Sequence, residues 1–217
     1  MEITPEDVKR AQSGKDDKWK FGNDILYQLC HDQPEHNNDS VIIAKIWLIG
    51  RAYAAAVERR KREGETVFIQ GDPFYELRVV PALRNSQLDE GIYDLKQHTS
   101  IEQETIVPIL KLHHDLVKVL RGITHDNKRS LASKYLHFHL PLLFYIYDSN
   151  ASQVLKSLMP YHRAKRKVHG NYDVEYQPFF LKMLDLRDRI QCEFGCILQP
   201  RELDRLLRNL WYANQPT

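Results

Sequence analysis

Cysteine is scarce in this chain: three among 217 residues, Cys30, Cys192 and Cys196. An odd count of that size cannot build a disulfide framework and suits a reducing compartment. Cys192 and Cys196 lie one helical turn apart with no second pair to complete a zinc or iron–sulfur site, so they read as two small core residues on one helix face. Long apolar runs are lacking as well. None approaches the ~20 residues needed to cross a bilayer, and the N-terminal MEITPEDVKRAQ is acidic where a signal peptide is basic and then apolar. The expected location is the cytoplasm. Charge of one sign is nearly absent: 31 Lys and Arg against 29 Asp and Glu leave a formal +2. Composition alone does not announce a nucleic-acid binder.

What is present is an ordinary globular balance, 42% hydrophobic and 28% charged, with eleven Tyr among 10% aromatics. That balance excludes disorder as the main description and supplies the large anchors a core needs. The length suits one domain. The basic residues are unevenly placed, crowding into Arg59-Arg60-Lys61-Arg62 and Arg163-Ala164-Lys165-Arg166-Lys167. Patches of this kind can hold phosphates in a nearly neutral chain. The first, at an expected helix C-terminus, is equally explained by the helix dipole.

Helical periodicity dominates. Thr4-Pro5-Glu6-Asp7 combines a hydroxyl cap, a first-turn proline and two acids at the positive end of the dipole. A short helix is predicted from Phe21 to Cys30, with Ile25, Leu26 and Leu29 inward. A longer one, capped by Asp39 or Ser40, is predicted to run to about Arg62 with Val41, Ile42, Ile46, Ile49, Tyr53 and Val57 as its inner stripe. Thr66-Val67-Phe68-Ile69 is the one strand-like run, too isolated to found a sheet. Further helices are expected at about 73–80, 84–96, 101–121, 130–140, 149–158, 174–194 and 200–213, with Pro108 either kinking its helix or marking the true start. The fold class is all-α, one domain over 1–217, with two helical lobes at about 1–100 and 101–217 around a cleft.

Residues 128–149 carry the chemical information. Ser130 is placed to cap a helix, which sets Lys134 near the first turn. The field of the helix N-terminus and the apolar neighbours Leu131, Leu136 and Phe138 would lower its pKa and make it a better amine nucleophile. Asp148 follows the apolar run Leu142 to Tyr147 at the mouth of the next helix. Position alone is also compatible with a solvated lysine and an aspartate that merely caps a helix.

Ser130-Leu131-Ala132-Ser133-Lys134-Tyr135-Leu136-His137-Phe138-His139, followed by Ile146-Tyr147-Asp148-Ser149, resembles the signature of bacterial 8-oxoguanine-DNA-glycosylase-like proteins. These are divergent relatives of the helix-hairpin-helix DNA glycosylases. A weaker likeness extends over Trp19 to Asp24, Trp47 to Tyr53, and Arg201 to Trp211. The resemblance implies a helix-hairpin-helix motif near residues 112–140, degenerate here because Ser130-Leu131-Ala132-Ser133 stands where the superfamily usually has a Gly-x-Gly turn. The spacing from lysine to aspartate is also shorter than usual in the superfamily. The resemblance further implies a glycosylase that flips out and excises a damaged or modified base. Lys134 would attack the sugar, opening a lyase route through an imine, and Asp148 would stabilise the sugar cation.

Trp19, Phe21 and Asn23 match the family's N-terminal motif and stand as candidates to stack on or hydrogen-bond the base. His137, on the Lys134 face, is a candidate donor or else a half-buried structural histidine. The Ser130 and Ser133 hydroxyls and the loop residues Arg163, Lys165, Arg166 and Lys167 are candidate phosphate contacts. His137 and His139 point to two helix faces, which argues against a metal site, and no cofactor is expected. DNA is the expected partner, and such proteins occur in bacterial defence loci. Two other functions stay open: a DNA-binding module without the reaction, and a protein-interaction subunit.

Overall fold

The computed structural model describes residues 1–15, 17–58, 73–160 and 165–215. Over these the chain forms ten α-helices and no strand. They are α1 (Pro5–Ser13), α2 (Lys20–Asp32), α3 (Asp39–Ala52), α4 (Val80–Arg84), α5 (Leu88–Lys96), α6 (Ile106–Thr124), α7 (Arg129–His139), α8 (Ser149–Leu158), α9 (Tyr176–Phe194) and α10 (Pro200–Ala213). The strand-like run at Thr66, the basic cluster at Arg59 and the loop residue Arg163 lie outside the described residues. No described helix is long and apolar enough to cross a membrane.

α1 begins as its sequence dictates: Thr4 Oγ1 accepts from the Asp7 N–H at 3.2 Å, and the Asp7 carboxylate accepts from the Thr4 N–H at 3.0 Å. This is a reciprocal capping box. α2 turns a different face inward from the one expected. Asn23, Leu26 and Cys30 are buried, whereas Ile25 stands about half exposed. α3 is capped by Asn38, whose side chain accepts from the Val41 N–H, rather than by Asp39 or Ser40.

α3 also stops at Ala52, ten residues before the expected end at Arg62. Ala54, Ala55 and Ala56, which the expected helix would have included, instead carry the chain back across it. Ala54 adopts φ 51°, and the Ala55 N–H reaches the Gly50 carbonyl at 2.8 Å. A Cβ on Gly50 would sit 3.1 Å from the Ala56 Cα, so the missing side chain is what lets the backbone return so closely.

Between α3 and α5 the helix expected at 73–80 becomes a π-helical turn, Tyr75–Val79, running directly into α4, while the one expected at 84–96 is α5, which starts at Leu88 and ends at Lys96 as expected. Pro81 explains the shift. It has no N–H to give and would press on the carbonyl four residues back, and the widened turn just before it relieves that contact. Pro108 lies in the first turn of α6, which starts at Ile106 and not at 101. At the far end Cys192 is exposed and Cys196 lies beyond α9, which closes on Gly195 in the left-handed region, so the pair is not a core face.

α7 is the axis of the molecule. Every residue from 131 to 138 is buried. α2, α3 and α6 all pack against it, while α10 packs on α1 and α8. One apolar core runs from Ile3 to Leu210. α6 and α7 are joined by residues 125–128, where His125 takes the left-handed conformation (φ 61°) without a glycine. Arg129, at the start of α7, is held by the Asp173 carboxylate at 2.9 and 3.2 Å, and Asp173 also caps α9 through the Tyr176 N–H.

Candidate active site

Lys134 is 3% exposed. It is the sixth residue of a helix that begins at Arg129, two residues deeper than a Ser130 cap would place it, and Ser130 is not the cap. Instead Lys134 Nζ donates to Ser130 Oγ at 2.9 Å and lies 5.6 Å from the centre of the Tyr53 ring. Burial lowers the pKa of the ammonium, and the charges of Asp148 and Asp204 oppose that fall without cancelling it. The deprotonating influence is therefore desolvation rather than the helix terminus.

Asp148 keeps both readings open at sequence level at once. Its Oδ1 accepts from the Ala151 N–H at 2.8 Å, capping α8, and the residue also lines a cavity of roughly 650 Å³ between α2, α3, α8 and α10. Asp204, which sequence reasoning did not single out, lines the same cavity. Burial pushes its carboxyl above the ordinary value; Arg201, with Nη1 at 3.1 Å from Oδ2, pulls the other way, and Asp148 adds to the rise. Lys134 is not itself on the cavity wall: it lies behind Tyr53 and the two carboxylates, electrically coupled to both.

Arg201 organises this wall. It donates to the Tyr53 hydroxyl at 3.0 Å, pairs with Asp204, and sits 3.6 Å from Asp17. Asp17 is also shared with Arg205 and Arg208. Burial would raise the Asp17 carboxyl, but the three guanidiniums and the Trp19 N–H together hold it below the usual value. Tyr53 is pushed up to about 12 by burial, so it remains a phenol at neutral pH. The spacing of Arg201, Asp204 and Arg208 on one side of α10 is the signal that would have found this wall, because charged residues at i, i+3 and i+7 share a helix face.

The remaining candidates divide. Trp19 and Asn23 line the cavity, Trp19 with 70% of its surface exposed and Asn23 buried. Phe21 is exposed, on the same helix, but is not among the lining residues. His137 is fully buried and engaged at both nitrogens. The Phe144 carbonyl lies 2.8 Å from Nδ1 and can only accept, so Nδ1 carries the proton and Nε2 accepts from the Tyr27 hydroxyl at 2.7 Å. Burial drives its pKa down to about 3. His137 is thus a neutral strut between α2 and α7 with no donor left for a base, which corrects the expectation of a substrate contact.

Ser133 is corrected in the same way. It is fully buried, donates to the Ser130 carbonyl at 3.0 Å and accepts from the Tyr147 N–H at 3.0 Å, which leaves nothing for a phosphate. Ser130 is half-buried and faces Lys134. In the basic loop, Arg166 is turned inward onto Asp185 at 2.7 Å and Asp188 at 2.5 Å, because those two α9 carboxylates need a counter-charge. Lys165 and Lys167 remain exposed. Among the described residues no group of three His, Cys, Asp or Glu is arranged to hold a metal ion.

Taken together, the site offers a buried amine, two carboxylates and an aromatic-edged cavity. Comparison with protein-family models, with curated proteins and with solved structures gives no match to this chain.

Proposed function

We propose that the chain is a DNA glycosylase that takes a flipped, damaged or modified base into the cavity beside Tyr53 and excises it. The observation that carries this reading is the environment of Lys134: a desolvated amine, pushed toward its neutral form behind Tyr53 and coupled to two carboxylates that line a cavity large enough for a nucleoside. Such an arrangement suits a reaction in which positive charge develops on a sugar and an amine then captures it.

In this mechanism the base leaves as the C1′–N bond breaks, with ionised Asp148 stabilising the sugar cation. Lys134 Nζ, released from Ser130 Oγ, forms the new bond to C1′. The attached nitrogen gives a proton to a neighbouring carboxylate, which passes it to O4′ as the C1′–O4′ bond breaks; this leaves the protonated imine, from which β-elimination would cut the strand, while the departed base anion takes its proton from water. Asp204 is placed to receive that proton, since its own raised pKa brings it toward that of the amine. The resemblance in residues 130–149 points the same way; proteins of the family it resembles turn up in bacterial defence loci, where a modified phage base is a sensible target.

The test is covalent trapping. The protein is mixed with an oligonucleotide bearing an abasic site and reduced with borohydride, which needs no knowledge of the base. An adduct that disappears in Lys134→Ala is the expected result. Salt-dependent DNA binding without an adduct would favour a binding module that keeps the fold and lacks the reaction. Neither adduct nor binding would leave a protein-interaction subunit.

A further inference from the structure

Asn23 supplies an observation that the excision chemistry does not use. It lies on the wall of the 650 Å³ cavity, is 6% exposed, and its Oδ1 accepts from the Tyr53 hydroxyl at 2.7 Å. The same Tyr53 oxygen accepts from the Arg201 guanidinium at 3.0 Å, so the hydroxyl relays: it accepts a hydrogen bond from Arg201 and donates one to Asn23. That orients the amide: oxygen toward Tyr53, nitrogen away. Asn23 Nδ2 is left buried with no partner among the described residues. A buried amide donor with nothing to bind is costly, and in a cavity wall it marks the place of a ligand acceptor.

The rest of the wall selects the acceptor. Asp148 and Asp204 on the same cavity repel an anion, and the charges of Arg201 and Arg208 are already taken up by Asp17 and Asp204. A carboxylate or phosphate oxygen is thereby disfavoured. The open indole of Trp19 and the ring of Tyr53 suit a flat ring.

We infer that the cavity recognises a planar heterocycle by a ring carbonyl, accepting from Asn23 Nδ2, and discriminates against the counterpart that carries an amino group there. The inference rests on the excision reading only for attaching that ring to DNA.

The experiment measures binding of two nucleoside pairs to the full chain by calorimetry: inosine against adenosine, and uridine against cytidine. Within each pair the main change is carbonyl for amine. The carbonyl member is expected to bind at least tenfold more tightly, since a site built around one hydrogen bond leaves a group unpaired with the analogue that cannot make it. Asn23→Asp keeps the acceptor for Tyr53 and replaces the donor with a second acceptor, so the preference is expected to vanish or invert. Tyr53→Phe frees the amide to turn over and is expected to weaken the preference.

Equal affinities in the wild-type chain, tighter binding of the amino members, or no binding up to millimolar nucleoside would each overturn the inference. Abasic-site trapping run on the same preparation keeps the two proposals apart. An adduct without a carbonyl preference sinks only the recognition, and a carbonyl preference without an adduct sinks only the excision.

Discussion

A lysine amine attacks carbon only after it has shed its proton, so at the scale of single residues the environment of Lys134 has a kinetic consequence. Its pKa is lowered by burial, against the pull of Asp148 and Asp204. The rate of imine trapping is therefore expected to climb with pH and level off below the range of an ordinary lysine, ~10.4. Asp204→Asn removes one carboxylate that favours the ammonium form. The inflection should then move to lower pH, read from trapping rates across pH 6 to 10. An inflection that stays put or moves up would show that the charge of Asp204 does not reach the amine.

Lys134 and Asp148 were legible in the chain because a local segment carries them both. The meeting of Tyr53 with Arg201 and Asp204 was not, since it joins segments separated by about 150 positions: the spacing on α10 marks a charged face, but no local pattern says what that face meets. His137 misled for a related reason: its face was read correctly, but the two bonds that neutralise it come from Tyr27 and Phe144.

At the scale of elements, α7 is positioned less by its own propensity than by stitches to the segments around it. Ser133 is one of them, binding the Tyr147 N–H and so fixing the extended run that delivers Asp148 to the cavity. Ser133→Ala strands that buried N–H. The expected cost is about 1–3 kcal/mol, seen as a thermal midpoint lower by several degrees at this chain length. Trapping should slow as well, because Asp148 loses its anchor. An unchanged midpoint would mean that the Tyr147 N–H finds another acceptor.

Several helix bounds were readable: Thr4 and Asp7 mark the start of α1, and the ends expected at 96, 158, 194 and 213 are those of α5, α8, α9 and α10. The end of α3 was not. The alanines after α3 favour helix by propensity, but the Ala55 N–H bond back to Gly50 and the close approach of Ala56 override them, and these are packing facts. The π turn before Pro81 belongs to the same class: the proline was visible, but the way the chain absorbs it was not.

For the whole molecule, the core that makes α7 an axis also buries an unusual share of imidazole. His36, His113, His137 and His139 all pack around α6 and α7 with their pKa values lowered, each chiefly by burial. His36 is braced between Asp89 and the Tyr135 hydroxyl at 2.5 Å each. The folded chain keeps these rings neutral where the unfolded chain, with histidines near 6.5, would protonate them.

The unfolded state therefore binds more protons below that value, and stability falls as pH drops from about 6.5 toward the depressed folded values, about 3 for His137. Carboxylates held low by partners, such as Asp173 and Asp188, act in the same direction but mainly below ~4, and Asp204, held high, opposes the trend. Between pH 6.5 and 4.5 the histidines dominate. Unfolding at pH 5.5 should take up protons, measured by calorimetry in buffers of different ionisation enthalpy, and the thermal midpoint should decline steadily over that window. A flat midpoint from pH 7 to 4.5 would mean that these rings become charged within the fold. Their placement as neutral struts around α7 would then be wrong, and with it the account of how the axis holds Lys134 at the cavity.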